Sequence, residues 1–215
     1  NDLLRIFPIY QNLKKENIKA LENGIVNLER HIENVKKFGL QPIVAINHFI
    51  LDTKKEIQVI KDFSKRIGVE VSVSKHWSDG GKGAKDLAEK VVKICKRSNT
   101  KKFNYLYEEN LPIWKKIEKI AKEIYRSNKV TASEEVKEQI EEFEKNGFNK
   151  LPVCIAKTQY SFSVDPKLKG AQINHESPIR AVRLSSGANF IVVVCGSIMT
   201  MPGLTRVPAA VNIKL

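Results

Sequence analysis

The stretch Pro42-Ile43-Val44-Ala45-Ile46-Asn47-His48-Phe49-Ile50-Leu51-Asp52-Thr53 decides the fold. Its apolar run, Ile43 to Ile46, is too short for a helix and leads straight into a polar and aromatic turn. Thr53-Lys54-Lys55-Glu56 then has the form of a capping box: a hydroxyl at the N-cap and a carboxylate three residues on satisfy each other's free amides. Strand, loop and helix start, in that order, make a βα unit. In open parallel sheets the loops beyond the strands' carboxyl ends are where ligands bind. Phe49 stands in such a loop.

The same pattern follows at once. From about Thr53 to Ile67 a helix keeps Ile57, Ile60, Phe63 and Ile67 on one face, and Gly68 supplies a stop. Val69, Val71 and Val73 alternate with polar residues, as in a half-buried strand. Ser74-Lys75-His76-Trp77 comes next, then Ser78-Asp79-Gly80-Gly81-Lys82-Gly83 and a helix carrying Leu87, Val91 and Ile94. With parallel strands and a right-handed crossover, both loops emerge on one rim of the sheet. Phe49 and Trp77 then face one cleft.

Upstream, Leu21, Ile25, Leu28, Ile32 and Val35 mark an amphipathic helix from about Lys14 to Lys37, with His31 beside the stripe as partly buried packing. Downstream, Lys96 to Lys102 is a basic, polar connection. Ile113, Ile117, Ile120 and Ile124 define a helix with a basic outer face and Trp114 at its edge. Val136, Ile140 and Phe143 define another, acidic outside. The two are expected to pair as a helical hairpin with Ser127-Asn128-Lys129 in the turn. Beyond Gly147 come three strands, Leu151 to Ala156, Ile179 to Leu184 and Phe190 to Cys195, the last two joined as an antiparallel hairpin around Ser185-Ser186-Gly187. The prolines and glycine of Met199-Thr200-Met201-Pro202-Gly203-Leu204 and Val207-Pro208-Ala209-Ala210 leave only an ordered loop or a tail.

With 215 residues and 42% hydrophobic content the chain has enough apolar side chains for a real core, and no apolar run approaches a membrane span. No secretory signal is written at the start. The opening Asn1, with no initiator Met, reads as part of a longer polypeptide or a chain whose beginning is absent. Cys95, Cys154 and Cys195 form no CxxC pair and the four histidines are scattered, which argues against a zinc site. The apolar settings of Cys154 and Cys195 predict reduced core thiols in a cytoplasmic protein. A net charge of +13 admits nucleic acid, solvated helix faces or a small polyanion such as a nucleotide or polyglutamylated cofactor. Aromatics at 7%, and lysines alternating with acids along the helices, favour the solvated faces.

There is no GxxxxGK[ST] phosphate loop, GxGxxG fingerprint, GxSxG elbow or HExxH in the chain. Gly80-Gly81-Lys82-Gly83 precedes a helix, where backbone amides can hold an anion; the glycines serve equally to let the chain turn tightly, and that reading is favoured. Phe49 and Trp77 are either core lids or a pair of rings for a flat heteroaromatic ligand. Their polar company, Asn47, His48, Lys75, His76 and Asp79, tilts the balance to a ligand, with stacking contributing ~0.5–1.5 kcal/mol per ring pair.

AINHF-x-x-DT, KHWSDGGKGA, LPVCIAKTQYSFS, IMTMPGL and VPAA, in that order, together with the upstream NGIVNLERHIENVKKFG, resemble the formate–tetrahydrofolate ligase (formyltetrahydrofolate synthetase) family over nearly the whole chain. The resemblance implies an α/β fold: the end of a parallel-sheet nucleotide-binding domain with the folate-binding rim in residues 1–100, a helical hairpin in 101–150 and a smaller α+β unit with antiparallel strands in 151–215. It implies a cytoplasmic, homo-oligomeric enzyme that joins formate to tetrahydrofolate using ATP, through formyl phosphate, to give 10-formyltetrahydrofolate, with Mg and a monovalent cation. Phe49 and Trp77 match the aromatics that sandwich the pterin, with Asn47 and Ile50 beside them; Ile50 stands where some bacterial members have Pro. Gly170 and Ala171 match a region at the adenine end of the nucleotide, where the family typically reads GAPTGF against GAQINH here. The family's phosphate loop and its formyl-phosphate arginine precede the matched region, so residues 1–215 alone are expected to be inactive. Lys157, Tyr160, Arg180 and Arg183 are phosphate or carboxylate contacts or structural ion-pair residues, with no catalytic role assigned. No nucleic-acid or membrane partner is expected. The rival reading is a non-catalytic folate- or nucleotide-binding fragment or assembly partner without the phosphate loop.

Overall fold

The structure, a computed structural model, describes residues 15–97, 103–158, 161–165, 167–196, 198 and 211. Lys14, Tyr160 and the 199–204 and 207–210 stretches lie outside the described residues.

Helix α1 (Ile18–Lys37) starts where the Asn17 side chain accepts from the Ala20 amide at 2.9 Å, a cap that sets the start a few residues after the expected Lys14. Strand β1 (Ile43–Asn47) leads into α2 (Lys54–Arg66). The capping box forms: Glu56 N donates to Thr53 Oγ1 at 3.2 Å and Thr53 N donates to Glu56 Oε2 at 3.0 Å. Strand β2 (Glu70–Ser74) pairs with β1 in parallel, Ile43 opposite Glu70 through Asn47 opposite Ser74. After it come α3 (His76–Asp79), a 3₁₀ turn at Gly80–Ala84 and α4 (Lys85–Arg97).

One core joins α1, α2 and a face of this two-stranded sheet through Leu21, Ile25, Ile32, Val44, Ile46, Ile60, Phe63 and Val69. The other face, over β2, carries α4, tied by Ser72 Oγ donating to Asp86 Oδ2 and Lys90 Nζ donating to the Val71 carbonyl at 2.8 Å. Of the stripe Leu87, Val91 and Ile94, only Ile94 is buried and Val91 is 39% exposed.

The remaining elements build a second core. They are α5 (Ile113–Glu123), β3 (Lys129–Ala132), α6 (Glu134–Lys145), β4 (Val153–Ala156), β5 (Glu176–Ser185) and β6 (Phe190–Cys195). The sheet order is β3-β5-β6-β4, with β3 parallel to β5, β4 parallel to β6 and β5 antiparallel to β6. The expected β5–β6 hairpin is therefore present, flanked by two parallel edge strands. The two helices expected as a hairpin are instead separated by β3. Ser127 and Asn128 are not a free turn: Ser127 Oγ donates to the His175 carbonyl at 2.8 Å and Asn128 N to the same oxygen at 3.0 Å, which steers the chain onto β5.

Ile113, Ile117, Val136, Ile140, Val153, Ile179, Val182, Ile191 and Val193 fill this core, with Trp114 packed at its margin. Lys116, which falls within the apolar stripe of α5, is fully buried. Its ammonium donates to the Asn149 and Leu151 carbonyls. Cys195 is a buried thiol as expected, whereas Cys154 is exposed: β4 alternates, and the residue after buried Val153 points outward.

Helix α1 also makes polar contacts with the end of α5 and the residues just after it. Asn34 Nδ2 donates to the Ile124 carbonyl at 3.1 Å, Lys37 Nζ meets the Glu123 carboxylate at 2.7 Å, and Arg126 meets Glu33 at 3.2 Å. The architecture is α/β, with one parallel and one mixed sheet. Among the described residues no helix is long and apolar enough to cross a membrane.

Candidate functional site

The parallel register of β1 and β2 brings the two loops that follow them side by side. His48 N donates to the Ser74 carbonyl at 3.0 Å, which extends the ladder one step past the strands. Trp77 Nε1 donates to the His48 carbonyl. The first loop then closes on itself: Phe49 N donates to Asp52 Oδ2 at 2.8 Å and Asp52 N to the Phe49 carbonyl at 3.0 Å. The second loop is pinned from below, with Lys75 N donating to the Gly83 carbonyl at 3.0 Å and Ser74 Oγ 3.1 Å from His76 Nδ1.

These bonds hold an apolar crest in water. Phe49 is 44% exposed, Ile50 78%, Leu51 58% and Trp77 47%, far from the burial of core lids. Asn47 is exposed at the end of β1. Beneath Phe49 a cleft of about 180 Å³ is lined by Leu28 of α1, Ile57 and Ile60 of α2, the β1 residues Val44 to Asn47, Asp52 and Glu56. Phe49 and Asn47 line that cleft; Ile50 and Trp77 stand outside its lining, on the rim. Sequence reasoning passed over Asp52 and the His48 carbonyl. An Asp three residues after the aromatic, at the end of a short turn, was the available signal for the first; the second, a main-chain group, left none.

The Gly80–Gly83 run lies under this rim. Gly80 has a positive φ of 57°, and a Cβ on Gly83 would lie 2.4 Å from the Lys75 main chain. Both observations match a conformational role for these glycines.

Gly170 and Ala171 belong to a different loop, before β5. The Gly170 carbonyl accepts from Phe162 N at 3.1 Å and from Ser161 Oγ at 3.2 Å, so this loop is tied to the segment after β4 and not to the rim. Lys157, at the end of β4, donates to the Thr158 and Ser161 carbonyls and lies 5.0 Å from the centre of the Tyr125 ring. Burial pushes its ammonium down to about 8. Burial pushes the neighbouring Cys195 thiol up to about 11, with Lys157 pulling the other way. His31 is exposed yet meets the Phe162 ring at 4.9 Å, and buried His175 donates from Nε2 to the Phe162 carbonyl at 3.0 Å. Desolvation first, which for exposed His31 acts only on the side that meets Phe162, and Lys157 second, hold both imidazoles below their ordinary value. Arg180 and Arg183 are exposed along β5. Among the described residues no three His, Cys, Asp or Glu side chains converge to hold a metal ion.

Comparison with known proteins adds to this geometry. A family profile described as formate–tetrahydrofolate ligase matches residues 7–215. The formate–tetrahydrofolate ligase of Pelagibacter ubique (strain HTCC1062) is 56% identical over 204 residues, which is 95% of this chain and 36% of that protein. That of Ruegeria sp. (strain TM1040) is 52% identical, with 95% and 36% covered. That of Zymomonas mobilis subsp. mobilis is also 52% identical, with 95% and 37% covered. The chain thus spans a little over a third of the length of the curated relatives it matches. A profile match over almost every residue, with relatives this similar along the same stretch, means that the chain belongs to the formate–tetrahydrofolate ligase family.

Proposed function

We infer that this chain carries the tetrahydrofolate-binding side of a formate–tetrahydrofolate ligase, an enzyme that joins formate to tetrahydrofolate with ATP. In that reaction formate is phosphorylated to formyl phosphate, and N10 of the folate attacks its carbonyl to give 10-formyltetrahydrofolate. The observation that carries the reading is the exposed aromatic rim: Phe49 and Trp77 on adjoining loops, linked through the His48 carbonyl, at the carboxyl ends of two parallel strands. A pterin is planar, apolar on its faces and polar at its edge. Two rings for the faces and Asn47 at the edge suit it, and Ile50 adds apolar cover.

The chain's own part is to bind and orient the folate. Nothing in residues 1–215 has the form of a phosphate loop, so phosphoryl transfer is not expected from these residues by themselves. With no metal-holding cluster among the described residues, no step of the reading runs through Mg or a monovalent cation. Gly170 and Ala171 are retained as candidates for the nucleotide's adenine end, in a loop separate from the rim.

The test is a titration of the 215-residue chain with tetrahydrofolate, followed by tryptophan fluorescence. Saturable quenching that is lost in Trp77→Ala supports the reading. A chain that does not bind tetrahydrofolate overturns it. Formate-dependent ADP release by this chain alone would show that it does more than bind.

A further inference from the structure

The cleft beneath Phe49 runs along the outer edge of β1. Val44, Ala45, Ile46 and Asn47 all line it, although consecutive side chains of a strand point to opposite faces. Residues of both faces share one cleft only along the strand's edge, so the cleft presents main chain. His48 N donates to the Ser74 carbonyl, which turns the polar main-chain groups of His48 towards β2. Alternation along the unbroken β1 register gives Val44 and Ile46 the same direction. It turns the N–H and C=O of Ala45 and Asn47 the other way, out of the two-stranded sheet. Among the described residues no strand pairs with that edge.

The two edges of this sheet differ. On β2 the same alternation turns the Val71 carbonyl outward, and Lys90 Nζ donates to it at 2.8 Å, so a charged side chain of α4 closes that edge. Edge strands that stay in water are guarded in this way, by lysines, prolines, bulges or inward charges. β1, Ile43-Val44-Ala45-Ile46-Asn47, has no charged residue, no proline and no bulge. Its flank is apolar as well, with Leu28 of α1 and Ile57 and Ile60 of α2 walling the cleft. Parallel sheets are normally buried, and two strands are marginal alone. An unguarded edge beside an apolar wall fits an added strand, whose main chain pairs with Ala45 and Asn47 while alternate side chains pack on Leu28 and Ile57.

The chain covers 36% of the Pelagibacter ubique ligase, so most of a polypeptide of this family lies outside the matched stretch. We propose that the outer edge of β1 is a docking edge for a strand from the part of the ligase polypeptide beyond these 215 residues, apolar on the side that faces α1 and α2. That strand extends the parallel-sheet unit past β1 and fills the cleft. Trp77, which stands outside the cleft lining, stays uncovered on the rim.

The test is amide hydrogen exchange, read by NMR on the isotope-labelled 215-residue chain. It is measured alone and with the unmatched remainder of the Pelagibacter ubique ligase, supplied as a separate polypeptide. Alone, the Ala45 and Asn47 amides are expected to exchange fast and the Ile46 amide, which faces β2, slowly. With the partner bound, both fast amides are expected to slow by about tenfold or more. Ala45→Pro removes only an outward N–H, a change that edge strands tolerate, and is expected to weaken the complex by about tenfold or more. Slow exchange at Ala45 and Asn47 in the isolated chain, monomer or dimer, overturns the proposal, because the edge is then filled from within the chain or by a second copy. So does a partner that binds and leaves both amides fast, or one that does not bind. This comparison needs no variant to fold. A folded Ala45→Pro that binds the partner as tightly as wild type also overturns the proposal.

Discussion

The indole nitrogen of Trp77 donates to the main-chain carbonyl of His48, the residue immediately before Phe49. Each loop therefore fixes the other's aromatic residue, and the spacing of the rim depends on a bond that only an indole supplies at this position. Trp77→Phe keeps a ring but leaves the His48 carbonyl to water. Because the site is exposed, the expected loss is small, ~0.5–1.5 kcal/mol in urea unfolding. A loss of several kcal/mol would mean that Trp77 is packed as core, contrary to its 47% exposure.

Gly83 and Gly81 should respond oppositely to alanine. At Gly83 the new Cβ would lie 2.4 Å from Lys75 C and O and 2.8 Å from His76 N, all main-chain atoms that cannot swing away. The Lys75–Gly83 hydrogen bond has to break, and Gly83→Ala is expected to destabilise the chain by ~1 kcal/mol or more. Gly81 has nothing within 4 Å of such a Cβ and no positive φ, so Gly81→Ala should be neutral or stabilise by ~0.4–1 kcal/mol. Equal melting temperatures for wild type and Gly83→Ala would show that the backbone approach is not required.

The β1–α2 and β2 elements were legible in the sequence because their signals are local. The Thr53–Glu56 box closes within a single helical turn, and the strand spacing left no other crossover to consider. Strand β3 was not legible. Lys129-Val130-Thr131-Ala132 is four residues long, sits between two helices and owes its pairing to β5, far along the chain. The burial of Lys116 was not read from the sequence, because charge usually means surface. Its position three residues after Ile113 and one before Ile117 placed it inside the apolar stripe, and the open carbonyls of Asn149 and Leu151 take its ammonium there. At the rim, residue types announced a flat ligand, but the closing of the Phe49 loop by Asp52 depends on which amide reaches its carboxylate in space.

The pair His31 and His175 makes stability sensitive to acid. Both touch Phe162, one through its ring and one through its carbonyl, and Lys157 faces both, with Arg30 5.5 Å from the Phe162 ring centre. Their folded-state values are depressed, so the unfolded chain takes up these protons more readily. Their contribution is therefore intact above about pH 6.5 and is lost as the pH falls through the lower folded values. The urea midpoint is expected to drop between about pH 7.5 and about pH 5. In a His31→Gln, His175→Phe double variant that drop should be smaller. An identical drop in the double variant would assign the acid sensitivity to other groups.

The aromatic pair gives the sharpest test of the rim. If Phe49 and Trp77 grip the two faces of one pterin, removing either ring exposes ligand surface that the other cannot cover. Trp77→Ala should weaken tetrahydrofolate binding by ~1–3 kcal/mol, the contribution of burying an aromatic face. Phe49→Ala should act in the same direction. Once one ring is gone the ligand is held loosely, so the second deletion should cost less, and the double variant should lose less than the sum of the two. Packing residues behave differently. Phe49 lines the cleft with Ile57 and Ile60, whereas Trp77 stands outside that lining, so as core residues they would share no contact in the cleft and their stability losses would add. Folate Kd by titration and a thermal melt on all four proteins separate the two cases. Intact folate affinity in Trp77→Ala, with a melting temperature lowered by many degrees, would make the rings core lids and remove the basis for a folate site here.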